Sequence, residues 1–455
     1  MFQNYETVLE QQIYSVSTLG NKKRGKYMKN KIIIIALLCA LLVIATTPTV
    51  FSEIEINQIS NKNSINEKFI DNTIINIMEK CHYPSISACV IKNDEVVWSN
   101  TYGFADIENN IEASDETVYT IGSTTKTITA AALMQLYDQG LFNLDDDVNE
   151  FLPFELRNPN FPDEPITFRM ILSHTSSLKR DPNAYWLEVE NWYEYDGPPF
   201  DNYPMPWLQK YLTPSGNRYD PLIWDEEYGP GEKSQYGNIN YDIVAFLVEI
   251  LSEEPFYEYC ENNIFEPLDM KSTSFHINNY DEEQLATPYV WDHTEQILLK
   301  GTHQMHIHYA VGFLFTTVID LSHFLIAHMN NGVYNGTRIL EESTVEEMHT
   351  LQTPQEGLQY GLGWNFRSRS IWLLGKHMFY SPFYYIFNFP NLIYSGHGGD
   401  AHMISPYTYG VGTLMHMKES DNSGVIIFSN NDFTFYKEGY NGKQILQELL
   451  FLKGR

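Results

Sequence analysis

Apolar positions along the chain follow two periods, one near 2 and one near 3.6, and the order of these stretches predicts the architecture. Ile65 to Lys80 has helical periodicity. The stretch ISACVIKNDEVVWSNTYG then reads as two strands, Ile86–Lys92 and Glu95–Tyr102, joined by a turn at Asn93-Asp94. An apolar helix follows Gly122, with Ile128, Ala131, Ala132, Leu133 and Leu136 along it and Gly140 as its stop. Ile166 to Leu172 begins another helix, Tyr241 to Ser252 is strongly apolar and helical, and Asp320 to Met329 is a further helix. Near the C-terminus, VGTLMHMKESDNSGVIIFSN reads as a hairpin around Asp421 to Gly424, and a helix between Gly439 and Leu452 closes the chain. Strands early, helices in the middle and strands late predict an α+β fold with one sheet drawn from both ends. Lys179 to Pro230 is long, irregular and crowded with Tyr, Trp and Pro, and loops of that length are usually functional.

The N-terminus has a different character. Residues 22–31 are basic, and Ile32 to Ala45 is an apolar run of 14 residues followed by TTPTVFSE. This is the layout of a signal peptide, with a cleavage point after Ser52. The run is short against the roughly 20 residues of a membrane span. A retained anchor is the alternative, with membrane attachment through residues 32–45. Met28 opens a conventional signal peptide of its own. The expected organisation is a basic segment with signal peptide or anchor over 1–52, a polar linker over 53–64 and one domain over 65–455, secreted or held at the cell surface.

With 58 acidic against 29 basic residues the chain carries a net charge of −29, a surface that repels nucleic acid and excludes it as a partner. Export would leave Cys81, Cys89 and Cys260, an odd number that cannot form a fully paired framework. Cys89 reads as core of the first strand and Cys81 as the end of the first helix. His303, His306 and His308 in THQMHIHYA raise the question of a metal, and His306 and His308 would share one strand face. No acidic or cysteine partner stands nearby at metal-binding spacing, so no metal site is expected.

The chemistry centres on Ser123-Thr124-Thr125-Lys126. Positions three apart share a helix face, so the Ser123 hydroxyl and the Lys126 amine fall one turn apart. A serine is a weak nucleophile without a base, and a buried lysine loses preference for its charged form, which makes its amine a candidate base. Downstream stand LSHTSSL (Leu172 to Leu178), PGEKSQYGN with Tyr236-Gly237-Asn238, and SGHGGD with His397-Gly398-Gly399. Tyr236 is a candidate second proton carrier, with a nearby lysine ammonium favouring its phenolate. Asn238 can hold Lys126 and a substrate amide.

These motifs in this order resemble the serine β-lactamase and penicillin-binding-protein superfamily, in its branch related to class C β-lactamases. The resemblance runs from about Asn66 to about Leu452 and includes WSNTYGFADIENN and YGLGW. It implies an antiparallel sheet flanked by helices with an inserted, mostly helical lobe, and a cleft between them. It implies an exported serine hydrolase that opens an ester or amide of a small molecule or peptide through an acyl-enzyme on Ser123, without cofactor or metal. It further implies an oxyanion hole from the backbone N–H groups of Ser123 and Asp400, beside His397, Gly398 and Gly399. A β-lactamase or D,D-carboxypeptidase is the first alternative, and a non-catalytic penicillin-binding-type receptor the second. The chain departs from the pattern in three places. Ser176-Ser177 replaces Ser-Gly, AVGFLFTT (Ala310 to Thr317) replaces a glycine pair with Phe313 expected beside the cleft, and an aromatic insertion runs from Ser370 to Tyr394.

Overall fold

Two β-branched runs far apart in sequence pair with each other, and that pairing organises the fold. In the computed structural model, which describes residues 67–179, 181, 192–194, 205–353, 358–368, 393–403, 409–433 and 442–453, helix α1 (Glu67–Cys81) leads into β1 (Ser85–Lys92) and β2 (Glu95–Asp106). The turn between the strands puts Asn93 and Asp94 at φ 49° and 65°, the two positive values of a tight hairpin. A short β3 (Ile111–Glu112) follows. From the other end of the chain come β4 (Asn365–Ser368), β5 (Ile393–Met403), β6 (Tyr409–Lys418) and β7 (Ser423–Ser429). The order across the sheet is β4-β5-β6-β7-β1-β2-β3, and every neighbour is antiparallel. The two chain ends meet where Ser87 pairs with Phe428 and Val90 with Val425. β7 is buried throughout and β1 all but its last residue, the pattern of strands covered on both faces.

Between β3 and β4 lie α2 (Thr125–Asp138), α3 (Phe168–Leu172), α4 (Ile239–Ser252), α5 (Tyr309–Gly312) and α6 (Val318–Met329), and after β7 comes α7 (Gly442–Lys453). Helix α6 starts on Thr317, whose hydroxyl accepts the N–H of Asp320, and it packs on β1 and β7 with Leu325 and Met329 against Gly424. Helices α1 and α7 pack on each other, closing Gly442 against Cys81. Cys81, Cys89 and Cys260 are buried free thiols.

Helix α2 is buried on every side from Thr125 to Leu136. A helix enclosed this way must satisfy its own polar side chains. Thr127 donates to the Thr124 carbonyl at 2.8 Å and Thr129 to the Ala310 carbonyl at 2.6 Å. Helix α4 lies alongside it, and one continuous apolar core runs from Cys89 and Ile426 through α2 and α4.

One expectation changes. His306 ends a short strand, Gln304–His306, and His308 lies beyond it at the start of α5, so they share no strand face, although their rings stack 4.4 Å apart. Phe313, expected beside the cleft, is buried and packed beside His306. The segment 1–52 with its apolar run 32–45, the linker 53–64, and residues 370–392 of the aromatic insertion lie outside the described residues. So do 182–191 and 195–204 of the long loop.

A line of imidazoles ties the helical lobe to β5. His328 meets His349 at 3.2 Å, and His349 meets the Ser395 hydroxyl at 2.9 Å, with Trp364 packed against both rings. Burial drives His349 down to about 3 and holds His174, His306 and His328 well below the usual histidine range. An unfolded chain takes up these protons below about pH 6.5 while the folded one refuses them. Stability should therefore be greatest above pH 6.5 and fall as pH drops, by roughly 1.4 kcal/mol per pH unit for each such histidine. Denaturant midpoints between pH 7.5 and 4.5 check this, and His349→Gln should flatten the slope by one proton.

Candidate active site

Ser123 sits on a single 3-10 turn, Gly122–Thr124, that leads into α2. Gly122 takes φ 51°, a left-handed value that suits glycine, and a side chain there would press on the Gly399 Cα at 3.2 Å. One turn later Lys126 is fully buried. Its Nζ lies 3.0 Å from Ser123 Oγ and donates to the Val311 carbonyl of α5 at 2.6 Å. Burial lowers the amine from 10.5 to about 7, against the opposing pull of Asp181 and Asp242.

Tyr236 completes a triangle. Its hydroxyl is 2.9 Å from Ser123 Oγ, and its ring lies 5.2 Å from Lys126 Nζ. The residue is 37% exposed by area, yet desolvation beside Ser123 pushes its phenol above the usual range. The phenolate expected from a neighbouring ammonium is therefore not favoured, because the same burial neutralises the lysine. With Lys126 neutral, one proton pattern fits all three bonds. Tyr236 donates to Ser123 Oγ, Ser123 donates to the Lys126 lone pair, and Lys126 donates to Val311.

Why LSHTSSL accompanies the Tyr236 motif is now evident. The Thr175 carbonyl accepts from Gly231 at 2.7 Å and the His174 carbonyl from Gln235 at 2.8 Å. The His174 ring accepts the Gly237 N–H at 3.4 Å and lies against Tyr236 at 4.5 Å. The turn holds His174 and Ser177 at φ 59° and 66°, so Ser177 occupies a left-handed position where a glycine would be unstrained.

Asn238 departs from expectation. It begins α4, and its amide donates to Asp181 at 2.8 Å, while Asp181 also accepts the Ile239 N–H at 3.0 Å. A carboxylate at a helix N-terminus outcompetes a neutral lysine already engaged with Val311 and Ser123.

The third motif lies on β5. Backbone here is close enough that a side chain at Gly399 would reach Ile121 O at 2.4 Å and Ser123 N at 2.7 Å. Thr413 of β6 pins this approach. Its hydroxyl accepts the Gly399 N–H at 2.9 Å, donates to the Ile121 carbonyl at 2.7 Å and meets Thr124 at 2.9 Å. Gly398 alternates to the other face of the strand, near Lys443 of α7. Asp400 follows in β5, with its backbone opposite Gly412. His397 is buried, its Nε2 2.7 Å from the Tyr360 hydroxyl and its Nδ1 2.8 Å from the Gly398 carbonyl.

A family model described as Beta-lactamase matches residues 70–448, a span that takes in every residue of this site. The chain belongs to the beta-lactamase family. Protein flp of Staphylococcus aureus (strain MRSA252) is 27% identical over 266 residues, 57% of this chain and 48% of that protein. The chain thus matches about half the length of this curated relative. In fold it is similar to the octameric penicillin-binding protein homologue from Pyrococcus abyssi, with TM-score 0.64, 24% identity, and coverage of 86% of this chain and 78% of that one. It is also similar to a penicillin binding protein from Bacillus halodurans, with TM-score 0.56, 18% identity, and coverage of 83% and 98%. The antiparallel sheet with flanking helices is the fold this family shares.

Four participants had no local signature. Asp181, Val311, Tyr360 and Thr413 meet the site only through long-range contacts, and only YGLGW and AVGFLFTT hinted at two of them. Among the described residues no cluster of His, Cys, Asp or Glu could hold a metal ion. The close approach at Gly399 yields a direct test. Gly399→Ala must displace either the Ser123 turn or β5, so covalent labelling of Ser123 by a fluorophosphonate should slow at least about 100-fold, with a measurable drop in stability. Labelling at the wild-type rate would show that the backbone approach is not required.

Proposed function

We propose that this protein is an exported serine hydrolase that cleaves an ester or amide through an acyl-enzyme on Ser123. The observation that carries the reading is the Ser123–Lys126–Tyr236 triangle, in which a lysine near pKa 7 bonds the serine hydroxyl at 3.0 Å. A binding module has no use for an amine held neutral at such cost. The basic segment and apolar run before Glu53 support export, to the medium or the cell surface.

In the proposed reaction Ser123 Oγ attacks the carbonyl carbon while its proton passes to Lys126 Nζ. The oxyanion takes hydrogen bonds from the backbone N–H groups of Ser123 and Asp400, a role supported by the way β5 lies against the Ser123 turn. The C–O or C–N bond then breaks, and the leaving group receives a proton through Tyr236, which Lys126 re-protonates. Water attacks the acyl-enzyme with the same groups acting in reverse. Asn238 and His397 border the substrate side of the cleft. Penicillin-like or peptidoglycan substrates are the second reading, supported by the likeness in fold to a penicillin-binding protein and a penicillin-binding protein homologue.

Removing the nucleophile should be decisive. Ser123→Ala should lose roughly 10³-fold or more in turnover of a chromogenic ester, in line with nucleophile removal in other serine hydrolases. Lys126→Arg puts a permanent cation where a neutral amine must accept the serine proton, so it should be nearly as inactive as Lys126→Ala. Substantial activity in the arginine variant would move the base elsewhere.

The pH profile follows from the same buried amine. The base works only when deprotonated, so kcat/KM should rise about tenfold per pH unit below pH 7 and level off above it. Tyr236 is pushed upward and should add no descending limb below pH 10. A flat profile between pH 5.5 and 8 would contradict the assignment of Lys126.

A further inference from the structure

Tyr236 brings its hydroxyl to 2.9 Å from Ser123 Oγ although it belongs to no helix or strand. The residues on either side of it are held by one partner. Gln235 gives its N–H to the His174 carbonyl at 2.8 Å, and Gly237 gives its N–H to His174 Nδ1 at 3.4 Å. The imidazole lies against the Tyr236 ring, 4.5 Å between centroids. His174 stands at φ 59°, a value that histidine and asparagine adopt more readily than most residues. The two segments meet again where Gly231 donates to the Thr175 carbonyl at 2.7 Å and the Ser234 hydroxyl to the Ser173 carbonyl at 3.3 Å. A backbone N–H can only donate, so His174 Nδ1 is bare and the ring proton is on Nε2. Burial at 1% exposure keeps the ring neutral. Nε2 makes no hydrogen bond among the described residues, and the rings of Tyr236, Tyr241 and Tyr360 lie 4.5, 5.2 and 4.9 Å from the imidazole. Burying an unpaired N–H is costly, and the opposite tautomer would set one N–H against another at Gly237.

We propose that His174 is a positioning residue for Tyr236: its bare Nδ1, clamped on Gly237, holds the phenol where it protonates the leaving group, and the site in consequence opens esters of ordinary alcohols and amides as well as activated esters. The kinetic half of this inference rests on the serine hydrolase reading, while the clamp does not. An alkoxide or an amine is too basic to leave without a proton, whereas p-nitrophenolate leaves without one. A misplacement of about 1 Å costs a proton donor about 100-fold, so loosening the clamp should slow the first kind of substrate and spare the second. Packing and clamping make opposite demands on the side chain. A phenylalanine supplies the ring and no acceptor. An asparagine supplies a carbonyl oxygen where Nδ1 stands, suits the left-handed backbone and has no ring.

The test uses the full chain. With 15N-labelled histidine, and His174 assigned by difference against His174→Asn, wild type should show the neutral Nε2–H tautomer at His174. The Nδ1–H tautomer or an imidazolium overturns the clamp. The kinetic arm compares kcat/KM for the ethyl and the p-nitrophenyl ester of one short-chain acid, so that the acyl group is shared. His174→Phe should lose about 100-fold or more on the ethyl ester and about tenfold or less on the p-nitrophenyl ester. His174→Asn should keep the wild-type ratio of the two. Tyr236→Phe should show the same selective loss, and adding His174→Phe to it should cost nothing further, because the two residues act as one. Equal losses on both esters, losses that multiply in the double variant, or a wild type inert on the ethyl ester overturn the kinetic half. So does a selective loss in His174→Asn, which keeps that half testable should His174→Phe fail to fold. Absence of Ser123 labelling by a fluorophosphonate would instead defeat the hydrolase reading and leave the tautomer result standing.

Discussion

An amine taken out of water is the constraint from which the rest of the site follows. Lys126 lies on the first turn of a helix that has no solvent face, and its pKa falls from 10.5 to about 7. That shift corresponds to about 5 kcal/mol against the charged form. The fold tolerates it because the neutral amine remains fully bonded, giving one proton to Val311 and offering its lone pair to Ser123. The carboxylates of Asp181 and Asp242 restrain the shift without pairing directly with the amine. Were either in contact, the amine would stay charged and could not accept the serine proton.

Holding that geometry requires the helical lobe and the sheet to meet within a few tenths of an ångström. Gly122 and Gly399 allow the two backbones to touch, and Thr413 bolts them together with bonds to Gly399, Ile121 and Thr124. The position of Ser123 is therefore set by β5 and β6 as much as by its own helix. On the opposite side Val311 depends on α5, which begins at His308, and His308 is tied at 3.0 Å to Asp242 of α4. A fully buried pair of this kind adds little net stability. Its effect is to fix where α5 sits against α4, and with it the carbonyl that orients Lys126.

Much of this was legible in the sequence, and what was legible is what local chemistry encodes. The 3.6-residue repeat places Ser123 and Lys126 on one face whatever else the chain does. The strand alternation and the Asn93-Asp94 turn predict the β1–β2 hairpin to within a few residues. Sequence could not supply partners that come from afar. Asp181 sits in an irregular loop and redirects Asn238 away from Lys126. Thr413 looks like one more β-branched strand residue. Tyr360 is one of 31 tyrosines, and YGLGW marked it without naming its partner, His397 of β5. His306 and His308 were misplaced because strand alternation ends at His306, and the next residues turn into a short helix.

The electrostatics of surface and site run in opposite directions. Outside, the chain is strongly acidic, with a net charge of −29. Inside, the groups nearest Ser123 are made neutral one by one, through burial of Lys126, Tyr236 and His174. Neutral partners in hydrogen-bond contact can pass a proton along Ser123, Lys126 and Tyr236 without separating charge over long distances in a medium of low dielectric. The transient charge that does form, an oxyanion with an ammonium on Lys126, arises beside backbone N–H groups that are already in place. Asp181 and Asp242 then favour the ammonium at the moment it appears. Carboxylates near but not touching the base thus oppose its resting neutrality only mildly and stabilise its working charge, which explains why the site keeps them at that distance.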